Sequence, residues 1–154
     1  MTERRLRRGF NKQAEMAGYN IQLLTTNKTT TKFQFQEKHY KVDDLLKAPG
    51  LLFNRKDDLH NKFFDKVLGK RPEKIPCHYL PSTEKFVEYI TSGIAYGMLM
   101  DQQCEDLIAA GELVELFPTV TIKVDLYWHR WNFSSAVLDR FSKALIRNAK
   151  AVLT

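Results

Sequence analysis

Two short segments contain side chains whose chemistry suits the binding of a small polar ligand. The first is FNRKDD at residues 53–58, and the second is STE at residues 82–84. Carboxylates pair with ammonium or guanidinium groups, and the free N–H groups of a helix N-terminus can receive a carboxylate. The candidate ligand-binding residues are Asn54, Asp57, Asp58, Ser82, Thr83 and Glu84.

A purely structural interpretation of both segments is also open. Asp57 and Asp58 can open a helix and favour its dipole, while the neighbouring basic side chains lie in water. Ser82 is a typical N-cap residue, with the acidic Glu84 in the first turn that follows. On spacing alone, this interpretation is the simpler one for both segments.

The sequence contains no recognisable catalytic, metal or cofactor motif. No HxxxH or HExxH pair, Walker loop, GxGxxG or GxSxG sequence occurs. The histidines share no metal-ligand spacing; they are His39, His60, His78 and His129. We therefore expect a protein that is not an enzyme and that uses neither a cofactor nor a metal.

The aromatic sequence YWHRW at residues 127–131 could suggest a nucleic-acid platform or a catalytic histidine. Alternation along a strand instead places Leu126 and Trp128 on one face, with Tyr127 and His129 on the other. This pattern favours packing over a site.

The net charge of +6 is concentrated near the N-terminus, where residues 1–12 hold five basic residues and one acidic residue. A nucleic-acid surface usually spreads its basic residues over one folded face, and the remainder of the chain lacks such an excess. We expect residues 1–32 to be a loosely held leader with weak helical character and one short strand near residues 19–24. Binding of nucleic acid or an acidic partner through this leader stays open as an alternative.

The two cysteines, Cys77 and Cys104, form no CxxC motif, and no secretory signal or long apolar run is visible. We therefore expect reduced thiols, a cytoplasmic protein and no membrane association.

Strands and helices alternate along most of the chain, which predicts an α/β fold with a mainly parallel sheet. FNRKDD and LPSTE each lie where a strand ends and a helix begins. Ligands of open α/β sheets collect at such positions, so both segments are expected to line one cleft. Ser82 and either Ser134 or Ser135 are predicted N-caps, and Gly69 is a predicted C-cap.

Several motifs occur in the order and spacing of a known family: APGLLFNRKDDLHNKFF, HYLPSTEKFVEYITSGIAYGMLMD, GELVEL and VDLYWHRW. They resemble the effector-binding domain of LysR-type transcriptional regulators over about residues 35–152. The likeness is to the arginine/lysine-responsive branch, which includes regulators of basic amino acid export and the inhibitor of chromosome initiation. Met100 departs from the proline that the family usually has there.

The resemblance implies an incomplete two-lobed domain of the type 2 periplasmic-binding-protein kind. The winged helix-turn-helix and the first part of lobe I have no visible counterpart, so a truncated regulator is expected. The implied division is a leader at 1–32, lobe II at 33–92, and the returning half of lobe I at 93–154.

The resemblance also implies sensing of a small effector, lysine or arginine, with Asn54, Asp57, Asp58, Ser82, Thr83 and Glu84 facing it. The implied partner is a second copy in a homodimer, or an intact regulator in a mixed dimer. DNA would be reached only through a helix-turn-helix that this chain lacks. The alternative is a remnant that acts only as a dimerisation or interaction fragment.

Overall fold

The structure, a computed structural model, describes residues 12–26, 41–131 and 135–153. The strands are β1 Lys12–Thr26, β2 Gly50–Leu52, β3 Cys77–Tyr79, β4 Tyr96–Met100, β5 Leu113–Glu115 and β6 Ile122–Arg130. The helices are α1 Val42–Leu45, α2 Leu59–Leu68, α3 Thr83–Thr91, α4 Asp101–Ala109 and α5 Ala136–Val152. The predicted alternation of strands and helices is thus confirmed.

Five strands pair in the order β3-β2-β4-β1-β5, and β6 pairs with β1. β2 is parallel to both β3 and β4, as the alternation predicted. β1 runs antiparallel to β4 and β5, so the prediction of a mainly parallel sheet was wrong for this strand. Strand–helix alternation constrains only strands that a crossover helix joins, and it leaves the direction of β1 undetermined.

Helices cover both faces of β4, whose successive side chains point to opposite sides. On one face, the ring of Tyr96 lies 5.6 Å from that of His60 on α2. On the other face, a Cβ atom added to Gly97 would lie 2.5 Å from Cδ1 of Ile90 on α3. Glycine at this position therefore allows α3 to pack closely against the centre of the sheet.

The helix ends form where the sequence predicted them. Ser82 Oγ accepts a hydrogen bond from the Lys85 amide at 3.3 Å at the start of α3. Ser135, one of the two residues predicted for this role, caps α5 by accepting from the Leu138 amide at 3.2 Å. Gly69 ends α2 with φ of 68°, a left-handed conformation that glycine adopts without a steric penalty.

The chain divides into two compact units at positions that differ from the predicted boundaries. The larger unit comprises residues 20–122, and the smaller one joins residues 1–19 with residues 123–154. Because β4 pairs with β2 and β1, residues on both sides of 92 belong to one sheet, and the predicted division at residue 92 stays a prediction. The assignment of the units to lobes remains a prediction.

The expected leader contains a regular element. Residues 12–26 form β1, where weak helical character and a shorter strand were predicted. Ala17, Ile21, Leu23 and Leu24 on this strand are buried, and their burial outweighs the local helical preference. Most of the basic leader and the polar tract at residues 27–32 lie outside the described residues.

In the smaller unit, β6 and α5 share a packed contact. Trp128 Nε1 donates a hydrogen bond to Ser142 Oγ at 3.0 Å, and its ring lies 6.0 Å from that of Phe141. Leu126 and Trp128 are half-buried, whereas the intervening Tyr127 is exposed. The predicted alternation and the packing role of this aromatic sequence are confirmed.

Both cysteines are free, and Cys104 is fully buried. Its thiol donates to the carbonyl oxygen of Met100 at 3.2 Å. Burial, reinforced by nearby carboxylates of which Asp101 contributes most, raises the pKa of this thiol to about 11. Cys104 is therefore a protonated core residue, as expected. No helix of the described residues has the length and apolar character needed to cross a membrane.

His60 is a buried core residue whose pKa is lowered by its surroundings. It is 2% exposed, and neither ring nitrogen has a hydrogen-bond partner within the described part of the chain. Burial lowers its pKa from 6.5 to about 4, although the negative charge of Asp57 opposes this shift. The folded protein thus holds a neutral imidazole near neutral pH.

This burial predicts a loss of stability in mild acid. As pH falls from 6.5 to about 4, the unfolded chain binds a proton that folded His60 does not, so the free energy of unfolding decreases. We expect a loss on the order of 3 kcal/mol that levels off below pH 4, and urea unfolding across this range measures it. His60→Leu should remove this component, whereas the exposed control His78→Gln should retain it. An unchanged pH profile in His60→Leu would contradict the assignment.

Candidate functional site

Three parallel strands of the larger unit end at the same edge of the sheet, and a helix begins after each. Leu52 at the end of β2 pairs with Tyr79 at the end of β3, and the Leu80 amide donates to the Leu52 carbonyl oxygen at 2.9 Å. The segments FNRKDD and STE therefore follow neighbouring strands, and their lining of one cleft stays a prediction. This edge, where β2, β3 and β4 end and α2, α3 and α4 begin, is called the carboxyl edge below.

Asp57 organises the first segment through its carboxylate. One oxygen accepts a hydrogen bond from the Phe53 amide at 3.0 Å, and the other accepts from the Leu59 amide at 3.1 Å. Asn54 supports the same turn, since its side-chain oxygen accepts from the Lys56 amide at 2.7 Å. Asp57 and Asn54 thus shape the loop, which is the structural role that spacing alone favoured.

Asp58 begins α2, but its side chain does not cap the helix. Its carboxylate accepts hydrogen bonds from Asn61 Nδ2 at 2.9 Å and from Arg71 Nη1 at 3.1 Å. Arg71 also pairs with Asp65 at 2.7 Å, and the carboxylate partners raise the pKa of the guanidinium. All three charged groups are more than a third exposed, so water screens their attraction.

The second segment combines one structural residue with two accessible ones. Ser82 uses its hydroxyl oxygen as the cap of α3. Thr83 and Glu84 are exposed in the first turn of that helix, where their side chains can meet a ligand. The helix N-terminus itself favours a negatively charged group.

Two further polar residues were missed by the sequence analysis. Gln22 Oε1 and Asp101 Oδ1 are buried oxygen atoms without a hydrogen-bond partner among the described residues. Gln22 lies on β1 directly opposite Leu99, and Asp101 follows two residues later at the start of α4. An acceptor buried without a donor is energetically unfavourable, so both oxygens can accept from a cationic or N–H-bearing ligand.

The sequence pattern could have identified one of these two residues but not the other. Asp101 directly follows a strand and opens a helix, the same arrangement that identified Asp57 and Ser82. Gln22 had no such signal because its place beside β4 arises from antiparallel pairing with Leu99, a residue 77 positions away.

Met100 occupies the family's proline position without changing the backbone. Its φ of −70° lies within the range to which proline is confined. Unlike proline, Met100 has an amide, which donates to Gln103 Oε1 at 3.4 Å. The departure from the family pattern is therefore accommodated at the start of α4.

The described residues contain no group of three or more His, Cys, Asp or Glu side chains that could hold a metal ion. At the carboxyl edge, carboxylates instead lie close to the N-termini of helices. Such an arrangement suits a small ligand that carries both a cation and an anion.

The role of Asp57 in shaping the loop is testable by mutation. Asp57→Ala leaves the amides of Phe53 and Leu59 without their acceptor, so we expect a loss of about 1–2 kcal/mol in the free energy of unfolding. Urea denaturation measures this loss, and the exposed control Asp43→Ala should change stability much less. A loss in Asp57→Ala no larger than in the control would show that the two hydrogen bonds contribute little.

Curated relatives of the chain are transcriptional regulators. No family model matches the chain. It is 36% identical over 109 residues to the HTH-type transcriptional regulator ArgP of Vibrio vulnificus, a match that covers 71% of this chain and 37% of that protein. The corresponding regulator of Photobacterium profundum is 32% identical over 123 residues, with 77% and 41% covered. The chain thus spans about two fifths of the length of these relatives.

Solved structures show the same fold. The C-terminal domains of a LysR family protein from Agrobacterium tumefaciens match with a TM-score of 0.81 and 27% identity, covering 95% of this chain and 69% of that one. Full-length LysG of Corynebacterium glutamicum with bound effector Arg matches with a TM-score of 0.72 and 25% identity, covering 90% and 46%. The fold implied by the sequence motifs is confirmed.

Proposed function

We propose that this chain, which belongs to the LysR-type transcriptional regulators through its effector-binding domain, senses a basic amino acid at the carboxyl edge. The observation that carries the proposal is the pair of buried oxygens on Gln22 and Asp101, which lack donors among the described residues. A basic amino acid supplies such donors through its ammonium group and its cationic side chain.

The same edge offers partners for the rest of the ligand. In the proposal, the N-terminus of α3 at Ser82 and Thr83 receives the ligand carboxylate, because free helix N–H groups favour an anion. Glu84 and Asp58 then attract the cationic side chain. Asn54 and Asp57 act through the shape of their loop, since their side-chain oxygens already accept backbone hydrogen bonds.

The relatives support this choice of ligand class. LysG of Corynebacterium glutamicum holds arginine as its effector and matches this chain with 25% identity. The ArgP relatives are named as transcriptional regulators, which supports a regulatory rather than an enzymatic function. A cytoplasmic location accords with this proposal.

In the proposed mechanism, the ligand shifts a conformational equilibrium through its different affinity for two states of the domain. In the proposal, the shift is relayed to a DNA-binding domain with a helix-turn-helix. The functional assembly is then a homodimer or a mixed dimer with an intact regulator.

Ligand-linked unfolding tests the proposal directly. L-Arginine or L-lysine at about one hundred times its Kd should raise the free energy of unfolding by about 2.7 kcal/mol, because the ligand binds the folded state. Thermal or urea unfolding with and without each amino acid measures the increase, with L-leucine as the control ligand. An equal response to L-leucine would exclude recognition of the cationic side chain, and no response to either basic amino acid would overturn the proposal.

Variants at the buried oxygens connect binding to the site. Asp101→Asn should weaken binding about ten-fold because it removes the charge from a hydrogen-bonded acceptor, whereas the exposed control Glu112→Gln should leave affinity unchanged. Gln22→Met removes an unpartnered acceptor and should preserve or increase the stability of the ligand-free protein while weakening binding. Calorimetric titration measures these affinities, and normal affinity in both site variants would place the ligand elsewhere.

A further inference from the structure

The carboxylate of Asp58 already binds a guanidinium group that belongs to the chain itself. Its Oδ1 atom accepts a hydrogen bond from Arg71 Nη1 at 3.1 Å, from the loop that follows α2. In the proposed function, the same carboxylate attracts the cationic side chain of a basic amino acid. Arg71 is therefore placed where it competes with that ligand.

A second carboxylate keeps Arg71 in this position. Arg71 Nε donates to Asp65 Oδ2 at 2.7 Å, and Asp65 lies near the end of α2 whereas Asp58 directly precedes its start. The guanidinium is thus held at two points along the helix. The contact with Asp65 keeps Arg71 close to Asp58 even when the contact with Asp58 is broken.

The known contacts of Asp58 use only one of its two carboxylate oxygens. Oδ1 accepts both from Arg71 and from Asn61 Nδ2, the latter at 2.9 Å. The side chain of Asp58 is 41% exposed, so a ligand can reach the carboxylate from solvent. A ligand that needs Oδ2 alone can approach without disturbing Arg71, whereas one that needs both oxygens cannot.

Arginine and lysine differ in this requirement. A guanidinium group pairs best with a carboxylate through two parallel N–H bonds, one to each oxygen. The ammonium group of lysine is a compact charge for which a single oxygen is sufficient. An arginine ligand must therefore displace Arg71 from Oδ1 to pair fully with Asp58, and a lysine ligand need not.

We propose that Arg71 determines the effector preference of this domain by disfavouring arginine relative to lysine at Asp58. The inference rests on the proposed function, because it assumes that Asp58 meets the cationic end of the ligand. Arg71 is a specificity-determining residue that acts by occupying Oδ1 and does not itself contact the ligand. Both members of the Arg71–Asp58 pair are exposed, so the preference amounts to a few-fold difference in affinity.

Removal of the internal guanidinium provides the test. Arg71→Gln frees Oδ1, so the affinity for L-arginine should rise about two- to five-fold and that for L-lysine less than about 1.5-fold. Calorimetric titration of both amino acids measures the two Kd values. Loss of a positive charge reduces the general repulsion of both ligands to the same extent, so the ratio of the two Kd values isolates the competition at Asp58.

Two further variants serve as controls. Lys70→Gln removes the same charge from the adjacent exposed position and should leave the ratio of the two Kd values unchanged. In an Asp58→Asn background, Arg71→Gln should no longer change this ratio, because the carboxylate for which the two guanidinium groups compete is gone. Circular dichroism and thermal unfolding verify that each variant is folded.

Every outcome bears on the inference. A gain that favours arginine in Arg71→Gln, absent from Lys70→Gln and from the Asp58→Asn background, supports it. An unchanged ratio in Arg71→Gln overturns it and leaves the proposed function intact, and so does an equal gain for both ligands. A change of ratio that persists without the Asp58 carboxylate also overturns it, since the competition then lies elsewhere. A wild-type chain that binds neither basic amino acid overturns both this inference and the proposed function.

Discussion

The position of β4 at the centre of the larger unit is the constraint on which the remaining architecture depends. Its backbone pairs with β2 on one side and with β1 on the other. Gly97 allows α3 to approach the sheet on one face, while Tyr96 contacts the buried His60 of α2 on the opposite face. Because β2, β3 and β4 are parallel, their carboxyl ends and the helices that follow meet at one edge. The candidate site exists only because this strand is held from both sides.

The polar groups at the carboxyl edge fall into two classes: those that already accept a backbone hydrogen bond and those that do not. The carboxylate of Asp57 is occupied by two backbone amides, and the hydroxyl oxygen of Ser82 accepts from another. Such residues give the loops their shape and pre-organise the site. The oxygens of Gln22 and Asp101 are different, because they are buried and lack donors among the described residues. A buried carboxyl or amide oxygen without a donor indicates a ligand-binding site more strongly than an exposed cluster of charges does.

Charge is distributed unevenly among the helices, in a way that the net charge does not reveal. α4 is acidic and α5 is basic on its outer side. The aromatic sequence of β6 contributes differently, because Trp128 is used inside its own unit to anchor α5 through Ser142.

Local chemistry in the sequence was sufficient to determine the helices, their caps at Ser82 and Gly69, and the placement of FNRKDD and STE at strand ends. These features depend on neighbouring residues, so periodicity and capping rules predict them. The direction of β1, the extent of the larger unit and the burial of Gln22 beside Leu99 were decided by the tertiary structure. Antiparallel pairing between residues far apart in the chain leaves no local pattern, because the backbone groups that pair are common to every residue. The family motifs predicted which protein class the chain joins, but only packing showed which of its polar atoms lack a partner.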